Sequence, residues 1–404
     1  MLQMNQSKFR FSKRTNWNLE ETDLTRALHE RRAANLPVYD LTASNPTQCG
    51  FYYDEQAILN ALQNPEALSY DPNPRGILPA RQAVSGYYAN HGATVSPEQI
   101  FLTTSTSEAY SYIFRLLCDP GDEVLSAQPS YPLFDFLAAL DDVRLIPYQI
   151  FYDHGWHLDT EALRQKITSR TRAIALVHPN NPTGHFTKLH ERQALETLCA
   201  EHDLALIVDE VFLDYPMPGI TAQSFTVAPH NALTFVLSGL SKIAALPQMK
   251  AAWIATFGPE PALIEALNRL EVIADTFLSM NAPVQHALPI WLSQRENIQR
   301  QIRKRTEENL RILDEILSGQ TLITRLEVEA GWYAILRIPA LRSDEELALE
   351  LLKEHGVHLH PGYFFGFPQT GWLVLSLLGP TADFQQSIEL ITRYFNHLQD
   401  ESQS

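Results

Sequence analysis

This sequence predicts an α/β protein with a large, mostly parallel seven-stranded sheet and a smaller α+β unit, on three observations. From about residue 100, short apolar runs rich in β-branched residues alternate with helix-period segments, a pattern that builds parallel sheets covered on both faces. After Phe257 the alternation gives way to two long helical stretches and then a second group of strands. Finally, 404 residues with 45% hydrophobic and 19% charged side chains exceed one ordinary domain and supply ample core.

The seven apolar runs are 100–103, 123–126, 144–148, 173–178, 204–208, 234–237 and 252–256, with helices expected at 107–118, 135–140, 159–167 and 188–202. Long helices are expected at 259–276 and 283–317; the charged stretch 295–308 in the second reads as its solvated face. Strands at 322–328, 332–338 and 372–377, with helices at 343–355 and 382–399, would make the small unit. The division is then 1–47 as an N-terminal segment with a short strand at 37–42, packing with the small unit, 48–294 as the large unit and 295–404 as the small one.

Charge and cysteine usage exclude several classes of function. Lys and Arg number 31 against 47 Asp and Glu, a formal net charge of −16, which argues against nucleic acid or an anionic membrane as partner. Cys49, Cys118 and Cys199 are far apart and never in CxxC spacing, so neither a disulfide framework nor a zinc site is expected, and a reducing cytoplasm is the natural compartment. No secretory leader is expected, because the first 17 residues lack an apolar run, and no stretch reaches the ~18 apolar residues of a spanning helix. His185 and His190 lack the HExxH pattern, so no metal is expected. The stretch with His355, His358 and His360 followed by Tyr363, Phe364 and Phe365 reads either as a strand and turn of the small unit or, with its aromatic group, as the lining of a substrate entrance.

Polar residues at the carboxyl ends of strands are the ones to inspect in such a sheet. Ser105, Thr106 and Ser107 open a helix, where hydroxyls either cap it or help bind an anion. His178–Gly184 follows a strand and reads as a turn in its own right. Asp209 ends an apolar strand and must be paired there, with another side chain or with a cationic ligand. Lys242, in Ser238-Gly239-Leu240-Ser241-Lys242, would be partly desolvated at another strand end, which lowers a lysine pKa and suits it to imine formation.

Taken together, NNPTG at 180–184, DEVF at 209–212 and SGLSK at 238–242, with 33 residues between Asp209 and Lys242 (242 − 209), resemble the class I and II aminotransferases. These are fold-type-I enzymes dependent on pyridoxal 5′-phosphate, and the resemblance runs from about Asp40 to Ser376. It implies that Lys242 holds the cofactor as a Schiff base and moves protons, that Asp209 pairs with the ring nitrogen, and that Tyr131 stacks on the ring. Asn181 would hydrogen-bond the ring's phenolic oxygen, while Ser105, Thr106, Ser107 and Ser241, with Lys250, would hold the phosphate. Tyr70, in SYDPNPRG, resembles a loop that crosses to the partner's site, which implies a homodimer.

Three positions depart from that pattern. Phe212 stands where the family usually has a tyrosine, which removes one donor to the phenolic oxygen, and Lys250 replaces an arginine on the phosphate. Val374 stands where the family has the arginine that grips the substrate α-carboxylate; Arg75 and Arg14 are candidates to replace it. The expected activity is a ping-pong transamination between an amino donor and a keto acid. A lyase, decarboxylase or oxidase using the same lysine chemistry is the alternative. A regulator that binds the cofactor without catalysis would need an added DNA-binding module, for which the segment before residue 40 is too short.

Overall fold

A computed structural model describes residues 9–278 and 280–403. The start of the segment that argued against a leader, residues 1–8, lies outside them. The fourteen strands assigned among the described residues are β1 Tyr39–Asp40, β2 Ile100–Thr103, β3 Glu123–Gln128, β4 Arg144–Tyr152, β5 Trp156–Leu158, β6 Thr171–Val177, β7 Ala205–Asp209, β8 Thr234–Gly239, β9 Ala252–Phe257, β10 Thr324–Arg325, β11 Tyr333–Arg337, β12 Val357–His358, β13 His360–Pro361 and β14 Trp372–Ser376.

The large sheet has the order β2-β9-β8-β7-β6-β3-β4-β5. All seven expected strands are in it, but the sheet has eight strands rather than seven. The eighth, β5, is an edge strand of only three residues that folds back antiparallel on β4, too short to stand out as a run of its own. The central pairs β4–β3, β3–β6, β6–β7 and β7–β8 are parallel, whereas β9 runs antiparallel to both its neighbours. The strands β7 and β8 are buried along their whole length, as parallel strands covered on both faces must be. Their side chains divide between a core beneath one face (Leu206, Val208, Val236) and one beneath the other (Ile207, Phe235, Leu237).

The small sheet has the order β10-β11-β14-β13. The strand expected over 322–328 is only two residues long as a ladder, and the helix expected over 343–355 is Asp344–Glu350 followed by a π turn, Leu351–His355. Between 159 and 167 the helix covers only Thr160–Arg164. The sequence reading left out helix Leu78–Ala89, whose Ala80, Val84, Tyr87 and Tyr88 are buried. The helix Ala282–Leu317 is 36 residues long and runs unbroken through position 294, so the chain enters the small unit without a linker. Near the N-terminus, β1 pairs in parallel with β12 of the small unit, while Arg14 and Trp17 contact the large unit at Leu140 and Phe136.

A cluster of ionisable groups ties the two units together. Buried His185 lies 3.1 Å from Glu191 and 3.5 Å from Glu329, and Lys188 pairs with Glu329 as well. Burial would raise the Glu329 carboxyl, yet hydrogen bonds from His185, Lys188 and the Phe186 N–H hold it down to about 2. Gly184 lets the two segments approach: its φ is +72°, and a Cβ there would run into the Ala330 carbonyl. Among the described residues no helix is long and apolar enough to cross a membrane.

Candidate active site

A cavity of about 180 Å³ opens at the carboxyl ends of the central strands, where a parallel sheet presents its loops and helix N-termini. Lys242 and Asp209 line it from adjacent strands. Asp209 is the last residue of β7, and Lys242 lies in the short helix Leu240–Ile243 that begins directly after β8. Gly239 makes that turn tight, since a Cβ would sit 2.8 Å from Ala252 Cβ on β9.

Alternation along the chain separates two neighbouring carboxylates. Asp209 faces the cavity, where its Oδ1 accepts from the Val211 N–H at 3.1 Å. Glu210 is fully buried on the other side, held by the Ser224 hydroxyl at 2.7 Å and the Phe225 N–H at 2.5 Å. Burial raises Asp209 to about 6, restrained by hydrogen bonds from Val211 and the Tyr110 hydroxyl and by the charge on Lys242. Burial lowers Lys242 to about 8, opposed by Asp209. Near pH 7 the carboxylate is therefore mostly ionised, and roughly a tenth of the lysine is neutral.

The Lys242 Nζ lies 4.8 Å from the Trp332 ring centroid and 5.5 Å from that of Phe212, with the Ser44 carbonyl at 3.5 Å. Phe212 is itself buried edge-on against Trp332. Thr106 and Ser107, the first two residues of helix Thr106–Leu117, line the cavity, as do Ser241, Asn181 and half-exposed Tyr131. Asn181 Oδ1 is buried there without a hydrogen-bond partner.

Three of the expected cofactor residues are placed otherwise. Ser105 is the N-cap of helix Thr106–Leu117, its hydroxyl accepting from the Glu108 N–H at 3.2 Å, and it is not part of the cavity wall. Lys250 is exposed, in a left-handed conformation at φ +51°. Tyr70 is 75% exposed and borders a different cavity, with Asp71, Met280 and His286. Arg75 pairs with Glu271 at 2.7 Å, and Arg14 lies 3.4 Å from Asp142, so neither lines the wall near Lys242. Tyr363, Phe364 and Phe365 line an adjoining cavity of about 110 Å³ that shares Ser130, Tyr131 and Phe134 with the first.

Among the polar wall residues that the sequence did not single out are Tyr110, Ser44 and Tyr333. Tyr110 lies on helix Thr106–Leu117, four residues after Thr106, and donates to Asp209; its position one turn into the helix was the only hint. Ser44 and Tyr333 come from the N-terminal segment and from β11, and only the folded chain brings them to Lys242.

The family model for aminotransferase class I and II matches residues 48–391. The chain is 25% identical over 367 residues to the glutamate-pyruvate aminotransferase AlaA of Escherichia coli K12, covering 89% of this chain and 90% of that one. To the alanine aminotransferase of Mycobacterium tuberculosis it is 26% identical over 382 residues, covering 88% and 85%. The fold superposes on an alanine aminotransferase from Pyrococcus furiosus with a TM-score of 0.87 at 23% identity, over 96% of this chain and 100% of that one.

Proposed function

This chain belongs to the class I and II aminotransferase family and is an aminotransferase; we propose that it holds pyridoxal 5′-phosphate in the cavity around Lys242 and moves an amino group from an amino donor to a keto acid by a ping-pong route. The observation that carries this reading is the pair Lys242 and Asp209, on adjacent strand ends of one cavity with opposite pKa shifts.

The wall fits the cofactor on its own terms. The unpartnered Asn181 Oδ1 marks an amide with hydrogen-bonding capacity left over, and such a buried group costs about 1–3 kcal/mol until a ligand satisfies it. The Asn181 amide N–H would donate to the ring's phenolic oxygen. Thr106, Ser107 and Ser241 offer hydroxyls, and the N-terminus of a twelve-residue helix, for a phosphate. Ser105 supports that group indirectly by capping the same helix, and the loops that carry Lys250 and Tyr70 lie outside this wall.

When bound, the cofactor supplies an electron sink for the carbon that loses its proton. Lys242 Nζ takes that proton and returns it; a group near pH 8 serves well, being neutral often enough to accept and acidic enough to donate. Asp209 holds a proton on the ring nitrogen, and Tyr110 keeps the carboxylate oriented by donating to it. Tyr131, half-exposed in the wall, would stack on the cofactor ring. Phe212 offers no hydroxyl beside Lys242, so Asn181 is left as the side chain for the phenolic oxygen. The three cysteines are free, in keeping with a cytoplasmic protein, and the Tyr70 loop is proposed to complete the partner's site in a homodimer.

Borohydride reduction followed by peptide mapping should place the cofactor adduct on Lys242. An adduct on another lysine, or none, would reject the assignment.

A further inference from the structure

Lys242 stands on a helix of only four residues, Leu240–Ile243, too short to satisfy its own last carbonyls. Two of those carbonyls are held from elsewhere in the chain. The Tyr215 hydroxyl donates to the Lys242 carbonyl at 2.6 Å, and the Gln299 side-chain amide donates to the Ile243 carbonyl at 2.8 Å. Tyr215 and Gln299 are both almost fully buried, at 2% and 3% exposure, so neither bond competes with bulk water.

Each donor is itself fixed. The Gln299 NH2 group also donates to Asp214 Oδ2 at 3.1 Å, and only that end of an amide can serve two acceptors. Asp214 accepts in addition from the Tyr87 hydroxyl at 3.1 Å and lies 3.0 Å from His91 Nε2, while its carbonyl accepts from the Arg303 guanidinium at 3.0 Å. Gln299 and Arg303 are one turn apart on helix Ala282–Leu317. That helix therefore grips both the turn that carries Tyr215 and the short helix that carries Lys242. Tyr215 also acts at a second point. Its ring packs edge-on against Trp332 at 5.0 Å, and the Trp332 ring centroid is 4.8 Å from Lys242 Nζ. One residue thus holds the backbone of the lysine and the ring beside its amine.

Neither Tyr215 nor Gln299 lines the cavity, so neither would touch a bound ligand. We propose that Tyr215 and Gln299 are positioning residues, which fix the short helix so that Lys242 Nζ is presented inside the cavity, beside Asp209 and away from bulk water. The inference rests on the assignment of Lys242 above and goes beyond it by naming what holds that lysine in place. Loss of either bond would leave a buried carbonyl without its donor, and the chain relieves that cost by shifting the helix or admitting water. Either response hydrates Nζ. Burial is what lowers this amine to about 8, and Asp209, the one carboxylate among the described residues of the wall, opposes it. Hydration therefore moves the amine up, toward an ordinary lysine.

The test follows capture of pyridoxal 5′-phosphate by the full-length apoprotein across pH, by absorbance, with borohydride trapping and peptide mapping to count the adduct on Lys242. Tyr215→Phe keeps the ring against Trp332 and removes only the hydroxyl. It should raise the pH midpoint of capture and slow capture at pH 7 about three- to tenfold, the worth of one buried hydrogen bond. Gln299→Met, of similar size without the amide, should do the same, and carries the test alone if the first variant does not fold. Tyr148→Phe is the control. It removes a buried hydroxyl-to-carbonyl bond of the same kind, to Ala175 on the neighbouring strand β6 at 3.2 Å, and should leave midpoint and rate within twofold of wild type. A merely structural role would lower the melting temperature of all three variants without moving the midpoint. The proposal is overturned if either folded variant at Tyr215 or Gln299 captures like wild type, or if Tyr148→Phe slows capture as much as they do. Absence of a Lys242 adduct in wild type would sink the earlier assignment and this proposal with it, so the wild-type adduct tells the two failures apart.

Discussion

The two walls of the cavity are built on different principles. The wall from the large sheet gathers Thr106, Ser107, Asn181, Asp209, Ser241 and Lys242 at the ends of buried strands and the starts of helices. Each sits in a short run of sequence, because a strand end followed by a tight turn fixes a side chain within a few residues. The wall from the small sheet takes Ser44 from the N-terminal segment and Tyr333 from β11, braced by Ser376 on β14. The residues of the first wall are close neighbours of strand ends in sequence, whereas those of the second meet only because distant segments are brought together.

After Lys242, Asp209 is the residue of the first wall whose loss should cost most. Asp209→Asn should lower turnover on the order of a hundredfold, as loss of one partner from a buried, hydrogen-bonded charge pair does. The same change should stabilise the apoprotein. Burial raises this carboxyl from 3.8 to about 6, so the folded state binds the proton more tightly than the unfolded chain between those values. Stability is full below 3.8 and is lost as pH rises through about 6, a deficit of about 3 kcal/mol at neutral pH. Thermal melts of the apoprotein should show the variant above wild type at pH 7, with the gap closing toward pH 4. Equal melting at both pH values would mean that Asp209 is not strained by burial.

How much of this was legible follows the same division. Asp209, Asn181, Tyr131 and Lys242 could be read because strand, turn and polar residue are contiguous. Seven of the eight strands could be read for the same reason, as runs of buried β-branched residues. The strand β5 has three residues and β12 two, too few to show a period. Helix Leu78–Ala89 was missed; its Leu-Pro start gives no side-chain cap, and Gly86 interrupts the pattern. Tyr333 shares one face of an apolar strand with Ile335, opposite Ala334 and Leu336, and nothing local tells which face meets the site. Ser105, a residue type that serves capping and anion binding alike, caps the helix through its hydroxyl, and Thr106 and Ser107 after it line the cavity.

The junction between the walls gives a smaller effect. Glu329→Gln should destabilise the protein by about 1–3 kcal/mol, since it removes one charge from a largely buried group of hydrogen-bonded partners. The carboxyl is held at about 2, below its usual 4.5, so its contribution is present above 4.5 and is lost as pH falls toward 2. The melting difference between variant and wild type should therefore shrink below pH 4.5. A difference independent of pH would show that packing, not charge, joins the units there.

At the centre of the site is a buried lysine made nucleophilic beside an ionised carboxylate. The most direct test of that state is the rate at which apoprotein captures pyridoxal 5′-phosphate, followed by absorbance across pH, in wild type and Lys242→Ala. Neutral amine is the reactive form, and Lys242 is lowered to about 8, so capture should rise with a midpoint near pH 8 and vanish in the variant. A midpoint near that of an ordinary lysine, or capture that survives in Lys242→Ala, would contradict it.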